Sequence, residues 1–289
     1  MVSEMRKQLH ALLDQRIRSF FAANVTDEEM ERKKQLLAKR QAKLVKCEGK
    51  GVVIEKKHIA PHTFVRYIVH FRFFIWQDGW MYVEEKQEVR EAIFERGKLV
   101  SDHLVVPHLK TEQMEKKQER HEDERVRYTY DRLAAVKYAE VWWNDYNPAF
   151  HQFPVDCTNF VSQCLHAGGI PMIGYPNKTK GWWMRKNDWS YTWTVAHAFR
   201  WYLSGTKTGI QAVEKKSPEQ LSLGDVICYD FQGNGRFDHT TIVVAKDKQG
   251  MPLVNAHTSN SRMRYWSYED STAYTPNIQY KFFHIIDRI

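Results

Sequence analysis

The stretch at residues 156–165, Asp-Cys-Thr-Asn-Phe-Val-Ser-Gln-Cys-Leu, closed by Gly168 and Gly169, admits few local structures. Thr158 and Asn159 suit a first helical turn, and Phe160, Val161, Cys164 and Leu165 recur at helical spacing. The glycine pair stops the helix about three turns after Cys157. Cys157 is thereby expected at or near a helix N-terminus. There, unpaired backbone N–H groups and the positive end of the helix dipole favour a thiolate over a thiol. A cysteine so placed is either a nucleophile that needs an imidazole or a small buried hydrophobe.

The remainder of the chain decides between these. Its 289 residues exceed one ordinary core and suit two domains, and hydrophobic residues at 43% with aromatics at 13% supply material for both. The net charge of +8 is spread along the sequence without a long basic cluster, so it reads as background and calls for no nucleic acid partner. Cys47, Cys157, Cys164 and Cys228 have no C-x-x-C spacing, which argues against a zinc site or a disulfide framework and for a reduced compartment. No metal or cofactor is expected. Arg6, Lys7, Asp14, Arg16 and Arg18 interrupt the first 21 residues, so the core of a signal peptide is missing; no later stretch has the roughly 18 apolar residues of a membrane span. A cytoplasmic location is the expectation.

In chain order, Leu9, Leu12, Leu13, Ile17, Phe20 and Phe21 fall at helical intervals over residues 3–22. A second helix is expected from Thr26, which has capping-box spacing to Glu29, to about Lys46. Alternating strands follow at 51–56, 63–74 and 80–89, the last two joined by Gln77-Asp78-Gly79, and 90–106 supplies a fourth. This is a small helical plus antiparallel-meander domain, similar in element order alone to cystatin-like folds. Its histidines, His58, His62, His70, His103 and His108, lack ligand spacing and read as surface or core residues. Residues 110–127, crowded with charge, read as a solvated helix or linker, and the boundary is placed near residue 125.

The second domain, 126–289, opens with a helix at 131–144 striped by Leu133, Val136, Tyr138 or Ala139, Trp142 and Trp143. After the Cys157 helix come Trp182, Trp183, Trp189, Tyr191 and Trp193, the material of an aromatic core or of a cleft rim that grips a peptide or sugar face. A helix at 195–203 precedes strands at 226–230, 239–245, 252–258 and 280–286. Asp230, Asn234 and Asp238 around a Gly-rich loop read as a solvated turn.

Helix with cysteine, strand with His239, then strand with Asn255 and His257 is the order of papain-like cysteine hydrolases. More closely, Asn147-Pro148, residues 156–163, Gly168-Gly169, residues 224–227, Asp238-His239-Thr240 and Ala256-His257-Thr258 resemble the bacterial putative amidase domain, a relative of CHAP-like cell-wall amidases and peptidases. The resemblance covers residues 130–289. It implies an α+β chain whose papain-like domain packs the cysteine helix on an antiparallel sheet. It also implies a cysteine-dependent amide hydrolase acting on peptide or peptidoglycan-type bonds, with no cofactor.

In such chemistry Cys157 attacks the carbonyl carbon and His239 takes its proton and returns one to the leaving amine. Asn255 and His257 lie two apart on one strand, hence on one face, and either could orient His239; the resemblance points to His257. The N–H of Cys157 with Tyr146 or Gln163 would meet the oxyanion, and Asp156 would cap the helix. An acyl transferase on the same residues, or a module that binds peptide or glycan without cleaving it, are the competing classes.

Overall fold

The computed structural model describes residues 2–22, 27–106 and 126–289. The fold is α+β, and the chain divides into two units: residues 1–107 with 269–272, and residues 108–268 with 273–289. The expected boundary near 125, the charged segment before it and His108 lie outside the described residues.

The first unit holds helices α1 (Val2–Ser19) and α2 (Glu28–Lys39) and strands β1 (Ala42–Ile59), β2 (His62–Gln77), β3 (Trp80–Glu95) and β4 (Lys98–Leu104), each strand antiparallel to the next. Asp78 and Gly79 both take positive φ, 47° and 74°, the backbone a two-residue hairpin requires to match strand twist. Along β2 the alternate residues Val65, Tyr67, Val69, Phe71, Phe73 and Ile75 are buried, so period two selects one face for the core. Phe20, just after α1, sets its ring edge-on against Phe71 and Phe73.

Two expectations are corrected here. Thr26 is outside the described residues, and the cap of α2 is Asp27, whose side chain accepts from Met30 N at 3.1 Å. The helix ends at Lys39 and does not reach Lys46. Gln41, with φ of 54°, turns the chain, and residues from Ala42 onward pair with β2. Strand pairing outweighs the modest helical preference of a basic stretch.

The second unit contains α3 (Arg132–Trp142), α4 (Cys157–Ala167), β5 (Met184–Arg185), β6 (Asp188–Trp189), α5 (Tyr191–Thr194), α6 (Ala196–Gly205), β7 (Ala212–Lys215), β8 (Val226–Asp230), β9 (His239–Lys246), β10 (Pro252–Ala256), β11 (Ser261–Tyr265) and β12 (Gln279–Ile285). Apart from the β5–β6 ribbon, its strands form an antiparallel sheet in the order β11-β10-β9-β8-β12-β7. One face carries Val226, Cys228, Ile242, Val244, Phe283 and Ile285 against Phe160, Val161, Cys164 and Leu165 of α4. The other carries Ile227, Tyr229, Val243, Val254 and Phe282, covered by Leu221 and Tyr268.

Every residue from Cys157 to Leu165 is buried, so α4 is enclosed on all sides and its polar residues must find partners inside. Gly168 is its C-cap, where a Cβ would lie 2.4 Å from the Tyr130 ring, and Gly169 turns the chain with φ of 94°. In α3 the buried stripe is Ala135 and Ala139, whereas Leu133 is exposed. No helix among the described residues is long and apolar enough to cross a membrane.

Candidate active site

Cys157 is the first residue of α4 and is 2% exposed. Its sulfur lies among hydrogen-bonding groups of three threonines: the backbone and side chain of Thr240, and the side chains of Thr158 and Thr258. Thr158 Oγ1 is 3.8 Å from the sulfur and 3.1 Å from Thr240 Oγ1. Burial nonetheless pushes the thiol above its ordinary range, and the surrounding hydrogen bonds only moderate this. Desolvation works against the thiolate that a helix N-terminus favours.

Asp156 immediately precedes it, fully buried, and does not cap α4 with its side chain. Oδ1 instead accepts from Phe153 N and from Asn159 Nδ2, each at 2.9 Å. Oδ2 faces His257 Nδ1 at 2.8 Å, and His257 Nε2 faces the Trp142 carbonyl at 2.7 Å. Both ring nitrogens thus meet oxygen atoms, which anchors the ring at two points. The imidazole is stacked on Phe160 at 4.1 Å, with the edge of Tyr146 against it at 4.8 Å. Carboxylate, aromatic faces and helix-end carbonyl fix this ring in position and orientation.

The expected partners of His239 are not brought to it. On an antiparallel pair, residues opposite one another share a face: Cys228 is opposite Thr240, and Tyr229 is opposite His239. Thr240 points to α4, so His239 points to the other face. There its ring packs among Tyr229, Phe231 and Tyr268, and Nε2 lies 3.2 Å from the Tyr268 hydroxyl. Burial, helped by the Arg264 charge, lowers its pKa to about 3, so the ring is neutral. Asn255 is occupied elsewhere: Nδ2 donates to Glu140 Oε1 at 2.8 Å and to Ala139 O, and Oδ1 accepts from Met263 N. His257 serves Asp156, not His239.

The remaining expected residues fall in several places. Tyr146 stands beside His257, its hydroxyl hydrogen-bonded to Gln152 and Asn260 and its pKa raised by burial. Gln163 lies six residues along α4, about 9 Å from Cys157. Its Oε1 accepts from the Tyr138 hydroxyl at 2.6 Å, which binds α3 to α4 instead of facing an oxyanion. Trp182 and Trp183 are wholly buried, their indole N–H groups satisfied by Ser162 Oγ and by the carbonyls of Asn177 and Lys180. They are core residues and form no cleft rim. Asp230 folds its own loop, accepting from Gly233, Asn234 and Gly235 N–H groups.

Sequence reasoning missed the partnership of Asp156 with His257 and the threonines round the sulfur. The signal available was Asp156 beside Cys157 and Thr258 beside His257, two polar neighbours of residues already singled out.

Residues 129–283, more than half of the chain, match the family model described as "Putative amidase domain". The "Uncharacterized protein YhbB" of Bacillus subtilis (strain 168) is 52% identical over 271 residues, covering 89% of this chain and 86% of that protein. The "Uncharacterized protein YjcM" of the same organism is 31% identical over 139 residues, 45% of this chain and 31% of the relative. No solved structure matches the chain. A family model matched over more than half of the chain, with a relative 52% identical across 86% of its own length, means that the chain belongs to the putative amidase domain family.

Proposed function

We propose that this chain is a cysteine-dependent amide hydrolase of papain-like type, acting on peptide or peptidoglycan-type amides with Cys157 as nucleophile. His257, held by Asp156, is the imidazole that serves it. The observation that carries this reading is the Asp156 Oδ2 to His257 Nδ1 contact of 2.8 Å, directly before a cysteine that heads a helix. A carboxylate on one ring nitrogen fixes the tautomer and leaves the other nitrogen for proton transfer. In turnover His257 acts as the neutral ring with its one proton on Nδ1 toward Asp156, and Nε2, turned from the Trp142 carbonyl, takes the cysteine proton. The sulfur then adds to the carbonyl carbon, the imidazolium protonates the leaving amine, and water hydrolyses the thioester. The backbone N–H groups at the start of α4 are the nearest fixed donors for the developing oxyanion. The division near residue 125, with residues 126–289 as the catalytic domain, belongs to the same reading.

One observation favours a second reading, a module that binds such ligands without cleaving them: the sulfur is 2% exposed and its pKa is raised. Mass spectrometry of digested peptidoglycan fragments and model peptides, incubated with wild type and with Cys157→Ala, separates the two. Hydrolysis is expected from wild type and not from the variant. A variant that kept more than about a hundredth of wild-type turnover would remove Cys157 from the mechanism, because loss of a nucleophile costs several orders of magnitude. Binding with no cleavage by either protein would establish the second reading.

A further inference from the structure

Thr258 is a β-branched residue with φ of 83°, in the left-handed region that such residues avoid. A conformation of this kind persists only where the surroundings hold it, and such residues cluster at functional sites. What holds it here is visible. Its Oγ1 accepts the backbone N–H of Asp156 at 3.0 Å, tying the end of β10 to the residue before α4. An oxygen that accepts there still has one proton to donate. That hydroxyl is also one of the hydrogen-bonding groups round the Cys157 sulfur.

We propose that Thr258 is a positioning residue for the Cys157 thiol, held in a left-handed backbone conformation so that its hydroxyl fixes the Asp156 N–H at the entry to α4 and stands among the polar groups that surround the sulfur. The inference rests on the reading of Cys157 as the reactive group, but not on hydrolysis. Thr158 and Thr240 pair with each other through their own hydroxyls, and their backbones are ordinary helix and strand. Thr258 alone among the three threonines takes a strained backbone to reach the site. A serine would keep the donor. A valine would keep the shape and lose it. A glycine would lose the donor and also relieve the strain, since Gly takes positive φ freely.

The test is the pH dependence of Cys157 alkylation by iodoacetamide, followed by mass spectrometry of the Cys157 peptide so that the other three cysteines do not contribute. Thr258→Ser is expected to keep the wild-type inflection. Thr258→Val and Thr258→Gly are expected to move it upward by about one pH unit, a tenfold loss of thiolate at a given pH. Thr258→Gly is further expected to stay folded, because relief of the backbone strain offsets part of the loss of the Asp156 N–H acceptor, and a cooperative thermal transition separates loss of the hydroxyl from loss of the fold. If Thr258→Val does not fold, Thr258→Gly carries the test alone. A wild-type inflection in folded Thr258→Gly overturns the proposal, as does an inflection displaced equally in Thr258→Ser. Failure of hydrolysis in wild type with the inflections displaced as stated would sink the proposed function and leave this inference standing.

Discussion

Thr240 and His239 are consecutive in sequence and face opposite sides of one sheet, Thr240 against the first turn of α4 and His239 among Tyr229, Phe231 and Tyr268. The histidine nearest to Cys157 along the next strand is thereby turned away from it. His257, the residue after β10 and not within the strand expected to run to 258, occupies the α4 side in its place.

His239 makes acid stability the first prediction. Its folded pKa of about 3 lies below the ordinary 6.5, so as pH falls the unfolded chain takes up a proton that the folded chain refuses. Stability from this group is present above about pH 6.5 and is lost as pH falls toward 3, with a slope of at most about 1.4 kcal/mol per pH unit. Urea unfolding between pH 7 and 4 is expected to show this slope in wild type and a shallower one in His239→Gln. Equal slopes would mean that the ring is not held neutral.

The second concerns the thiol. A raised folded pKa keeps Cys157 protonated, with stability lost as pH rises above the unfolded value near 9. Alkylation of Cys157 at pH 7 is expected to be at least about tenfold slower than that of a free cysteine peptide, and to climb beyond pH 9. Rapid labelling at pH 7 would show that the helix terminus wins over burial in solution.

Third, the Asp156–His257 pair is buried at both ends. Removing one partner leaves the other buried without its hydrogen-bond complement, which costs about 1–3 kcal/mol. His257→Ala and Asp156→Asn are each expected to lower the urea midpoint, and the double variant to lose less than the sum, because the two share one interaction. Additive losses in that cycle would mean no coupling. Turnover is expected to fall by a hundredfold or more in His257→Ala and to change little in His239→Ala; the opposite order would return the base to His239.

The fourth belongs to the first unit. Lys33, in α2, is 6% exposed, paired with Glu84 at 2.5 Å and Asp270 at 3.1 Å, with its ammonium 4.5 Å from the centre of the Phe73 ring. Lys33→Met leaves two buried carboxylates without their cation, a loss of about 3–5 kcal/mol in thermal or denaturant unfolding. A variant as stable as wild type would show that water or rearrangement satisfies both acids.

Helical spacing and the glycine pair made α4 legible to within a residue of Cys157, and the short apolar runs within 226–230 and 240–245 made β8 and β9 legible. The site was less so, for a definite reason. Whether His239 or Thr240 meets the helix is decided by the parity of one strand, and a shift of one residue reverses every side chain. Trp182 and Trp183 illustrate a second limit, since an indole suits a buried hydrogen-bonded core and an open rim equally well in sequence. β11, only five residues long with Arg262 and Arg264 in it, carries too little apolar pattern to announce itself.

The Trp142 carbonyl that receives His257 Nε2 belongs to the last residue of α3, where a helix leaves its final carbonyls without internal partners. The same ring, through Asp156, braces the chain entering α4. His257 is thus a clasp across three segments, and any ligand group that takes Nε2 from the carbonyl leaves that end of α3 with the Asp145 N–H alone. Engagement of that nitrogen would then be felt at Trp142 and Tyr146, as fluorescence or amide-exchange changes at the end of α3, before any bond in the ligand is broken.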